Sequence, residues 1–441
     1  MSEETTAQPT FMDKMMDVVM KIAAPLGRFG MLKPVASIQE GLISTLPLTM
    51  VGALFLVVYV LGSPSVGNSG TALIPFLEPV ANQFAWMNSV TMSLLSLYLA
   101  GALGSAYGAK LGMDTRTTGL LSLAAFIVVT SGPEAGIDVA NFSANGLFVA
   151  IVTSLVATKV YSIFIERGIT IKMPEGVPPQ IGNSFGAILP YATVLGVCWV
   201  IRTLLDIDPV AVLMGALAPF VAGADNVFVY LGSRLVANLL WCVGLHGDNM
   251  FLSNFQPFGL MWLEENAAAL AAGTPSNQLP HVLAGFGTGG GLDRLVMWPA
   301  AIWPVVFLLI RSKVAYHKTL GWTALAPAIF TITEPITFGV PMVLNPYLSV
   351  PFLINTLVAP GLAYLAMQAG IIGRFFANLP WATPPFILGP LGTGDIKTVF
   401  VPIVAFVIGT IIYLPFWRLY EKNALEEEAR NAAAAEAEQA A

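Results

Sequence analysis

Residues 329–346 read IFTITEPITFGVPMVLNP, an apolar stretch that carries one carboxylate, Glu334, between two threonines and a proline. A charge in hydrocarbon-like surroundings costs several kcal/mol unless it is paired, hydrated or protonated. Pro335 also interrupts a helical hydrogen-bond ladder and leaves backbone polar groups beside the carboxyl group. We therefore predict that Glu334 is functional; the alternative is a glutamate that caps a buried helix end.

The rest of the chain has the composition of a membrane protein. Hydrophobic residues make up 56% of the 441 residues and charged residues only 10%, and the mean hydropathy is +0.74. Apolar runs of about 20 residues recur, which is the length that a helix needs to cross a bilayer. The alternating pattern of a membrane β-barrel is absent. Because a membrane-spanning backbone must satisfy its own hydrogen bonds, we predict an all-α polytopic membrane protein.

Ten apolar runs are candidates for the spans, at residues 41–62, 88–108, 117–131, 145–165, 184–205, 209–222, 227–245, 295–310, 347–372 and 398–416. Lysines and arginines precede the first run, join the second to the third and follow the fourth, whereas loops 63–87 and 132–144 hold none. The positive-inside rule therefore predicts a cytoplasmic N-terminus. Residues 11–22 have one apolar and one charged face, which predicts an interfacial helix or a short helix packed on cytoplasmic loops.

The second half of the chain is interrupted by segments that are too polar or too rich in glycine and proline for ordinary spans. They are GLHGDNMFLSNFQPF (244–258), HVLAGFGTGGGLDR (281–294), TITEPITFG (331–339) and LPWATPPFILGPLGTGD (379–395). Non-helical backbone at membrane depth persists only where it is buried in protein or lines a wet cavity. Broken helices thus indicate a substrate path in the second half and a scaffold in the first.

Two further side chains stand at such breaks. His246 ends an apolar run, which favours a functional imidazole over a histidine satisfied in the core. Trp381, between prolines, offers an indole face on which a sugar can stack, or belongs to an interfacial aromatic belt. Asp248 and Asn249 are polar partners for a ligand or turn residues.

Other charged or glycine-rich features allow only less specific interpretations. GTGGG at 287–291 lacks the Lys-Ser/Thr of a phosphate loop, so a hairpin tip that lets backbone approach a ligand or helix is favoured. The adjacent Asp293 and Arg294 are predicted to form a local ion pair. Asp225 and Arg234 are candidates for a proton relay or for plain charge pairing. No metal site or cofactor is predicted.

Four motifs resemble those of one bacterial family. IKMPEGVPP (171–179), LWCVGLHG (240–247), TITEPITFGVPMVLNP (331–346) and PWATPP (380–385) are similar, in the same order, to signatures of the membrane IIC component of the sugar phosphotransferase system, in its lactose/cellobiose/diacetylchitobiose family. The resemblance covers nearly the whole chain. It implies a homodimeric permease in the cell membrane, with about ten spans and two re-entrant hairpins.

The resemblance also implies a domain layout and a site. The layout is an N-terminal cytoplasmic or interfacial helix, a dimerising scaffold, a transport domain and a charged, alanine-rich tail, at residues 1–36, 37–183, 184–416 and 417–441. The C6 hydroxyl of the sugar is then held by His246 and Glu334, with Glu334 taking its proton as phosphate is transferred. The residues implied to contact the sugar are Trp381 by stacking, with Trp241 and Asn145. Asn249, beside His246, is predicted to be a further contact.

The implied partners are a disaccharide of the cellobiose, diacetylchitobiose or lactose type, membrane lipid and soluble IIB and IIA components, but no nucleic acid. The phosphoryl donor is a phosphocysteine on the separate IIB component. Two departures leave the substrate open: Thr331-Ile332-Thr333 stands where the family commonly has Asn-Ile-Asn, and GTGGGLDR replaces Gly-Gly-Ser-Gly-Ala-Thr-Leu.

Two other classes of protein compete with this interpretation. An ion-coupled secondary sugar transporter would use Asp225, His246 and Glu334 as relay groups. An intramembrane hydrolase would use a His/Glu/Asp site, although the chain has neither an H-E-x-x-H nor a G-x-S-x-G motif.

Overall fold

The structure, a computed structural model, describes residues 32–440 apart from positions 65–71, 73, 133–135, 138, 144–145, 172, 175–178, 243–245, 334–335, 338–339, 341 and 343–344. Across these residues the chain is helical, and its only β-type pairing is an isolated bridge between Gly132 and Gly136. The all-α prediction is therefore confirmed. The helix predicted at 11–22 and the site residues Asn145 and Glu334 lie outside the described residues.

Helices of the first half are mostly long and uninterrupted. They are α1 (Lys33–Gly62), α2 (Ala81–Thr91, preceded by the 3-10 helix Pro75–Val80), α3 (Leu95–Lys110), α4 (Thr115–Thr130), α5 (Leu147–Glu166), α6 (Pro179–Gly186), α7 (Ile188–Trp199, continued by the π-helical turn Val200–Leu204) and α8 (Pro209–Ala224).

Helices of the second half include several short ones. They are α9 (Val227–Cys242), α10 (Gly247–Met250), α11 (Gln256–Ala271), α12 (Trp298–Ala301, preceded by the π-helical turn Asp293–Met297), α13 (Trp303–Arg311), α14 (Ala315–Ile329), α15 (Pro346–Gln368), α16 (Pro385–Thr393) and α17 (Val401–Ala440). Between them, residues 272–290 and 369–384 form two long segments without α-helix.

Within the described residues, seven helical segments are long and apolar enough to cross a membrane: Lys33–Gly62, Pro75–Lys110, Leu147–Glu166, Ser184–Leu204, Asp293–Arg311, Tyr347–Gln368 and Ile396–Arg430. Shorter apolar helices cover Thr115–Thr130, Pro209–Val221 and Val227–Cys242. The predicted multi-pass membrane character is confirmed. The number of spans, the re-entrant hairpins and the division into scaffold and transport domains stay predictions.

Small residues let α3, α4 and α5 approach closely. A Cβ atom on Gly104 would clash with the side chain of Ser122, and one on Gly108 would clash with Thr118. The Ser122 hydroxyl also lies 3.2 Å from the Thr158 Oγ1 atom of α5. Lipid tails are as apolar as the side chains, so the hydrophobic effect does not drive helices together within a bilayer. Close contacts and interhelical hydrogen bonds of this kind therefore stabilise the packing of α3–α5.

A buried amide holds the two long non-helical segments against α11. The Nδ2 atom of Asn266 donates to the carbonyl oxygens of His281, at 2.8 Å, and Phe375, at 2.7 Å. Its Oδ1 atom accepts the His281 backbone N–H at 2.9 Å. Buried backbone polar groups need such partners where helical bonds are missing. One side chain thereby fixes the segments that form much of the site described next.

Candidate functional site

A cavity of about 400 Å³ lies where the broken segments of the second half meet. Its volume is within the range of small-molecule sites, about 300–1,000 Å³. Side chains from α1, α9, α10 and the start of α11 line one part of it, and the glycine-rich segment, residues 293–298 and Trp381 line the rest. Of the predicted site residues, His246, Asn249 and Trp381 all line this cavity.

His246 caps the short helix α10. Its Nδ1 atom accepts the backbone N–H of Asn249 at 3.2 Å, so the neutral imidazole carries its proton on Nε2. The turn is held against α9 at Gly247, where a Cβ atom would overlap the Ala237 carbonyl oxygen. The glycine of the LHG motif therefore allows the close approach that orients the histidine.

Trp241 lies behind His246. The two rings are 4.3 Å apart between centroids, and Trp241 also packs edge-on against Trp298 at 5.9 Å. With only 2% of its surface exposed, Trp241 supports the imidazole from within the core. It is not among the side chains that line the cavity.

Trp381 presents its indole at the cavity with 42% of its surface exposed. The Arg294 guanidinium lies 5.5 Å from the centre of this ring and 5.6 Å from that of Trp298. Arg294 also donates to the carbonyl oxygens of Gly289, at 2.7 Å, and Thr331, at 2.9 Å. Arg294 thus connects three non-helical segments of the cavity wall, with a contribution from cation–π attraction.

The predicted local ion pair between Asp293 and Arg294 is wrong. Asp293 instead accepts hydrogen bonds from Arg234, through Nε at 2.7 Å and also through Nη2, and from the Tyr230 hydroxyl at 2.9 Å. Arg234 reaches Asp248 as well, at 2.7 Å. Successive residues of a helical turn point in different directions, so Asp293 and Arg294 meet partners on different elements.

Glycines shape the loop between α11 and the turn at 293–297. Gly285, Gly287, Gly289 and Gly291 all have positive φ angles, a conformation that other residues adopt only with strain. A Cβ atom on Gly287 would lie 2.6 Å from the Gln256 backbone nitrogen, so this loop packs directly against the start of α11. The close backbone approach predicted for the glycines at 287–291 is confirmed at Gly287.

Glu334 and Asn145 lie outside the described residues, but the neighbours of Glu334 meet the cavity wall. Thr331 is buried and has a φ angle of 58°. Its carbonyl and hydroxyl oxygens both accept from Arg294, at 2.9 and 3.1 Å. The threonine that replaces the family's asparagine is therefore fixed by the arginine of the second departing stretch.

Asp225 belongs to a separate cluster and does not line this cavity. Its carboxylate lies 3.0 Å from His281 Nδ1, and the Nε2 atom of that ring is 2.5 Å from Glu265. Burial lowers the pKa of His281, but hydrogen bonds to Asp225 and Glu265 outweigh this effect and raise it to about 9. Asp225 is thus paired with His281, apart from His246. No group of three or more His, Cys, Asp or Glu suited to a metal ion occurs among the described residues.

Sequence reasoning missed two cavity residues, Arg294 and Thr288, and left Asp248 open between a ligand partner and a turn residue. Thr288 is buried and donates to Asn378 Oδ1 at 3.0 Å, which joins the glycine-rich loop to the segment before Trp381. The signal was present in GTGGGLDR, a stretch with two charges and a threonine in an apolar half of the chain. Its departure from the family pattern indicated a changed site.

Comparisons with known proteins give one consistent result. The family model described as "Phosphotransferase system, EIIC" matches residues 39–356. The chain is 30% identical over 450 residues to the "Lichenan permease IIC component" of Bacillus subtilis (strain 168), covering 95% of this chain and 96% of that protein. It is 32% identical over 447 residues to the "PTS system cellobiose-specific EIIC component" of Geobacillus stearothermophilus, with 95% and 96% covered.

A solved structure is similar over the whole fold. It is the crystal structure of the transporter ChbC, the IIC component from the N,N'-diacetylchitobiose-specific phosphotransferase system. The TM-score is 0.84 at 26% sequence identity, and the match covers 93% of this chain and 99% of that chain.

Proposed function

This chain belongs to the phosphotransferase system EIIC family, and we propose that the cavity between His246 and Trp381 holds its sugar during transport. As a permease of this family, the chain carries a disaccharide across the membrane and acts with IIB and IIA components. The finer assignments below, to residues, bond and partner, are our proposal.

One observation supports the site above others: a single cavity combines a partly exposed indole, an oriented imidazole and several hydroxyl partners. Indole faces stack on apolar sugar faces, and polar side chains select the hydroxyl groups. The charged side chains among the described lining residues are two arginines, Arg234 and Arg294, and two aspartates, Asp248 and Asp293. These charges balance, which favours a neutral ligand such as an unmodified disaccharide.

We assign the following roles. Trp381 stacks on one sugar ring, and Asn249 binds a hydroxyl. His246 donates from Nε2 to the C6 hydroxyl, since its Nδ1 is already occupied. Glu334 accepts the hydrogen of that hydroxyl and takes the proton as the phosphoryl group arrives. Phosphoryl transfer requires mainly positioning and charge stabilisation, which this arrangement supplies.

The donor is a phosphocysteine of a separate IIB component, and this chain contributes the acceptor site. Both cysteines of the described chain, Cys198 and Cys242, are buried, which fits a core-packing role. Trp241 acts through His246, against whose ring it packs. Asn145 remains a proposed further hydroxyl partner.

The substrate class that we propose is a β-linked disaccharide. The names of the similar proteins refer to lichenan, cellobiose and N,N'-diacetylchitobiose. A panel of α- and β-linked disaccharides in equilibrium binding to the purified protein tests this assignment. Tight binding confined to α-linked sugars would overturn it.

The transport mechanism has its own test. Vesicles that contain this protein and the soluble components should accumulate phosphorylated sugar when supplied with phosphoenolpyruvate, and an uncoupler should have little effect. Uptake that persists without phosphoenolpyruvate and collapses with the uncoupler would favour ion coupling instead. The separation of Asp225 from the cavity favours the phosphotransferase mechanism.

We further propose a homodimer in the cell membrane with its N-terminus in the cytoplasm, supported by the distribution of lysine and arginine in the loops. Cysteines introduced at Ser69 and Thr170, after replacement of Cys198 and Cys242, should be labelled from opposite sides of the membrane. Labelling of both positions from outside would contradict the orientation.

A further inference from the structure

We propose that Asp248 is a specificity-determining residue that accepts a hydroxyl hydrogen of the sugar, held in place by Arg234. The proposal rests on the proposed function, since it assigns a ligand contact within the same cavity. Asp248 stands in the HGDN stretch, where the sequence allowed only a turn residue or a general polar partner. It adds a fixed carboxylate to a cavity wall on which His246 and Asn249 already lie.

Among the described residues, Asp248 has a hydrogen-bond partner at one of its two carboxylate oxygens. Oδ1 accepts from Arg234 Nη1 at 2.7 Å, and Oδ2 has no hydrogen-bond partner among the described residues. The side chain lines the cavity and keeps 19% of its surface exposed. An ionised carboxylate is an acceptor only, with room for several hydrogen bonds. A sugar hydroxyl is a donor of the kind that this oxygen lacks.

Arg234 fixes the orientation of this carboxylate from inside the protein. Its guanidinium is 3% exposed and is held on the far side by Asp293, which also accepts from the Tyr230 hydroxyl. A buried arginine in this position has little rotational freedom, because its donors are already directed at fixed acceptors. Asp248 is therefore preoriented before a ligand arrives, which lowers the entropic cost of binding.

The net charge of Arg234, Asp248 and Asp293 also favours a hydrogen-bond donor in the cavity. One arginine faces two aspartates, and Asp293 takes two of its nitrogen donors while Asp248 takes one. These three side chains together carry one net negative charge, which Arg294 elsewhere in the cavity balances, and Asp248 is the most exposed of the three. A charge at a partly buried site needs solvation, and hydroxyl groups of a bound sugar replace the water that is displaced. Adjacent hydroxyls of a sugar ring suit such an acceptor.

The alternative is that Asp248 serves only as a structural partner of Arg234. The two roles differ in one measurable respect. A structural partner affects all ligands of the cavity alike, whereas a hydrogen-bond acceptor makes the affinity depend on one particular hydroxyl group. The test therefore combines protein variants with ligands that each lack a single hydroxyl.

Equilibrium binding of the highest-affinity disaccharide of the panel and its monodeoxy analogues would be measured on the full-length wild type and on Asp248→Asn. We expect Asp248→Asn to bind the parent sugar about 10- to 100-fold more weakly, because Arg234 takes the single amide oxygen and the remaining NH2 group cannot accept a hydrogen bond from the sugar hydroxyl. One deoxy analogue should bind the wild type more weakly than the parent sugar does. On the variant, this analogue and the parent sugar should bind equally well. That coupling is the result that identifies the contact.

Asp248→Glu keeps the charge but moves the carboxylate by one methylene group. It should therefore change which deoxy analogue loses the most affinity. Because it keeps a carboxylate partner for Arg234, this variant also serves as the test if Asp248→Asn fails to fold. Asp225→Asn is the matched control, because it removes a carboxylate that has its own histidine partner away from the cavity. It should lower thermal stability without altering the deoxy pattern.

A uniform loss of affinity for all analogues in Asp248→Asn, with the unchanged pattern in Asp248→Glu, would overturn the proposal. The variants Trp381→Ala and His246→Ala distinguish a failure of the proposed sugar site from a failure of the role proposed for Asp248. If neither of these variants affects sugar binding, the cavity itself is not the sugar site. If both weaken it while Asp248→Asn acts uniformly, the sugar site stands and only the role of Asp248 is refuted.

Discussion

Helices α3–α5 and the cavity region hold their polar groups in opposite ways. In α3–α5, serine and threonine hydroxyls bond to nearby backbone or to each other, as Ser154 does with the Ala100 carbonyl oxygen at 3.0 Å. In the cavity region, the guanidinium groups of Arg234 and Arg294 each bond to acceptors on two different elements. Small neutral groups satisfy themselves within a close-packed bundle, whereas charged groups need partners brought from several elements.

This difference predicts that α3–α5 mainly provide stability and that the cavity region mainly handles the sugar. The α3–α5 region derives its rigidity from glycine contacts and tolerates little change in volume. The cavity region is built from interrupted helices, so its backbone needs side chains such as Asn266 and Arg294 as substitutes for helical hydrogen bonds. Substitutions in the first region should therefore affect folding, and substitutions in the second should affect sugar handling.

The largest expected effect is on chemistry in the cavity region. Glu334→Gln keeps the shape of the side chain but removes the base, so phosphorylation should fall by about 10²- to 10⁴-fold. Sugar binding should fall much less, because an amide still hydrogen-bonds a hydroxyl. His246→Ala should instead weaken both, since it removes a donor and leaves the hydroxyl less satisfied.

The measurements are equilibrium sugar binding and phosphoenolpyruvate-driven phosphorylation in vesicles supplied with the soluble components. If Glu334→Gln phosphorylates sugar at the wild-type rate, the carboxylate is structural and the chemistry proposed for it fails.

The next effect tests the packed bundle. Gly104→Ala places a Cβ atom against Ser122 and the Thr118 carbonyl oxygen, so we expect a loss of about 1 to 3 kcal/mol in stability. Gly101→Ala is the matched control on the same helix, since its nearest atoms lie at 3.9 Å. It should be neutral or stabilising, as alanine favours helix.

Thermal denaturation in detergent, with sugar affinity measured on the folded fraction, separates the two regions. Gly104→Ala should lower the melting temperature and leave the affinity unchanged. If Gly104→Ala loses sugar affinity at normal stability, the separate roles predicted for the two regions are contradicted.

Trp381 should affect binding without affecting folding. Trp381→Ala should weaken sugar binding by about 1 to 3 kcal/mol, by analogy with bases stacked on aromatic rings, while Trp381→Phe should retain part of the affinity. Binding is measured by calorimetry, and melting temperatures should stay close to that of the wild type. Equal affinity in all three proteins would assign this tryptophan to the lipid interface.

The smallest expected effect concerns pH and the Asp225–His281–Glu265 cluster. The pKa of His281 is raised from its ordinary value of 6.5 to about 9, so the folded protein binds this proton more tightly. The stabilisation is fully present below about pH 6.5 and is lost as the pH rises through about 9. Between these values the melting temperature should fall by about 1 to 3 °C more in the wild type than in His281→Gln.

His317 provides the control for this pH effect, because burial lowers its pKa. A histidine with a lowered pKa is already neutral in the alkaline range, so His317→Gln should leave the slope from pH 6.5 to 9 as it is in the wild type. The same slope in His281→Gln as in the wild type would show that the cluster does not titrate as described.

Much of the fold was predictable because the bilayer restricts what a helix can be. The spans predicted at 117–131 and 145–165 lie within a few residues of Thr115–Thr130 and Leu147–Glu166. In the second half, the run predicted at 227–245 corresponds to the helix Val227–Cys242, and the predicted break follows it. Hydropathy and proline or glycine content act locally, so single stretches of sequence report them directly.

Partners of side chains were less predictable, as Asp293 and Arg294 illustrate. Adjacent charges in the sequence suggested a local pair, but Asp293 bonds to Arg234 and Arg294 bonds to Thr331. The choice depends on which elements pack on each side of the turn at 293–297. No local pattern contains that information.

The sequence by itself determined that this protein is an all-α membrane protein, where its helices are interrupted, and which family its motifs resemble. Each of these follows from composition or from short motifs, because solvent preference and backbone breaks are properties of consecutive residues. Only the tertiary structure decided that Arg234 orients Asp248 and that Arg294 lies against Trp381, 5.5 Å from its ring centre. Such contacts join residues up to 87 positions apart, and side-chain direction and packing, rather than sequence distance, determine them.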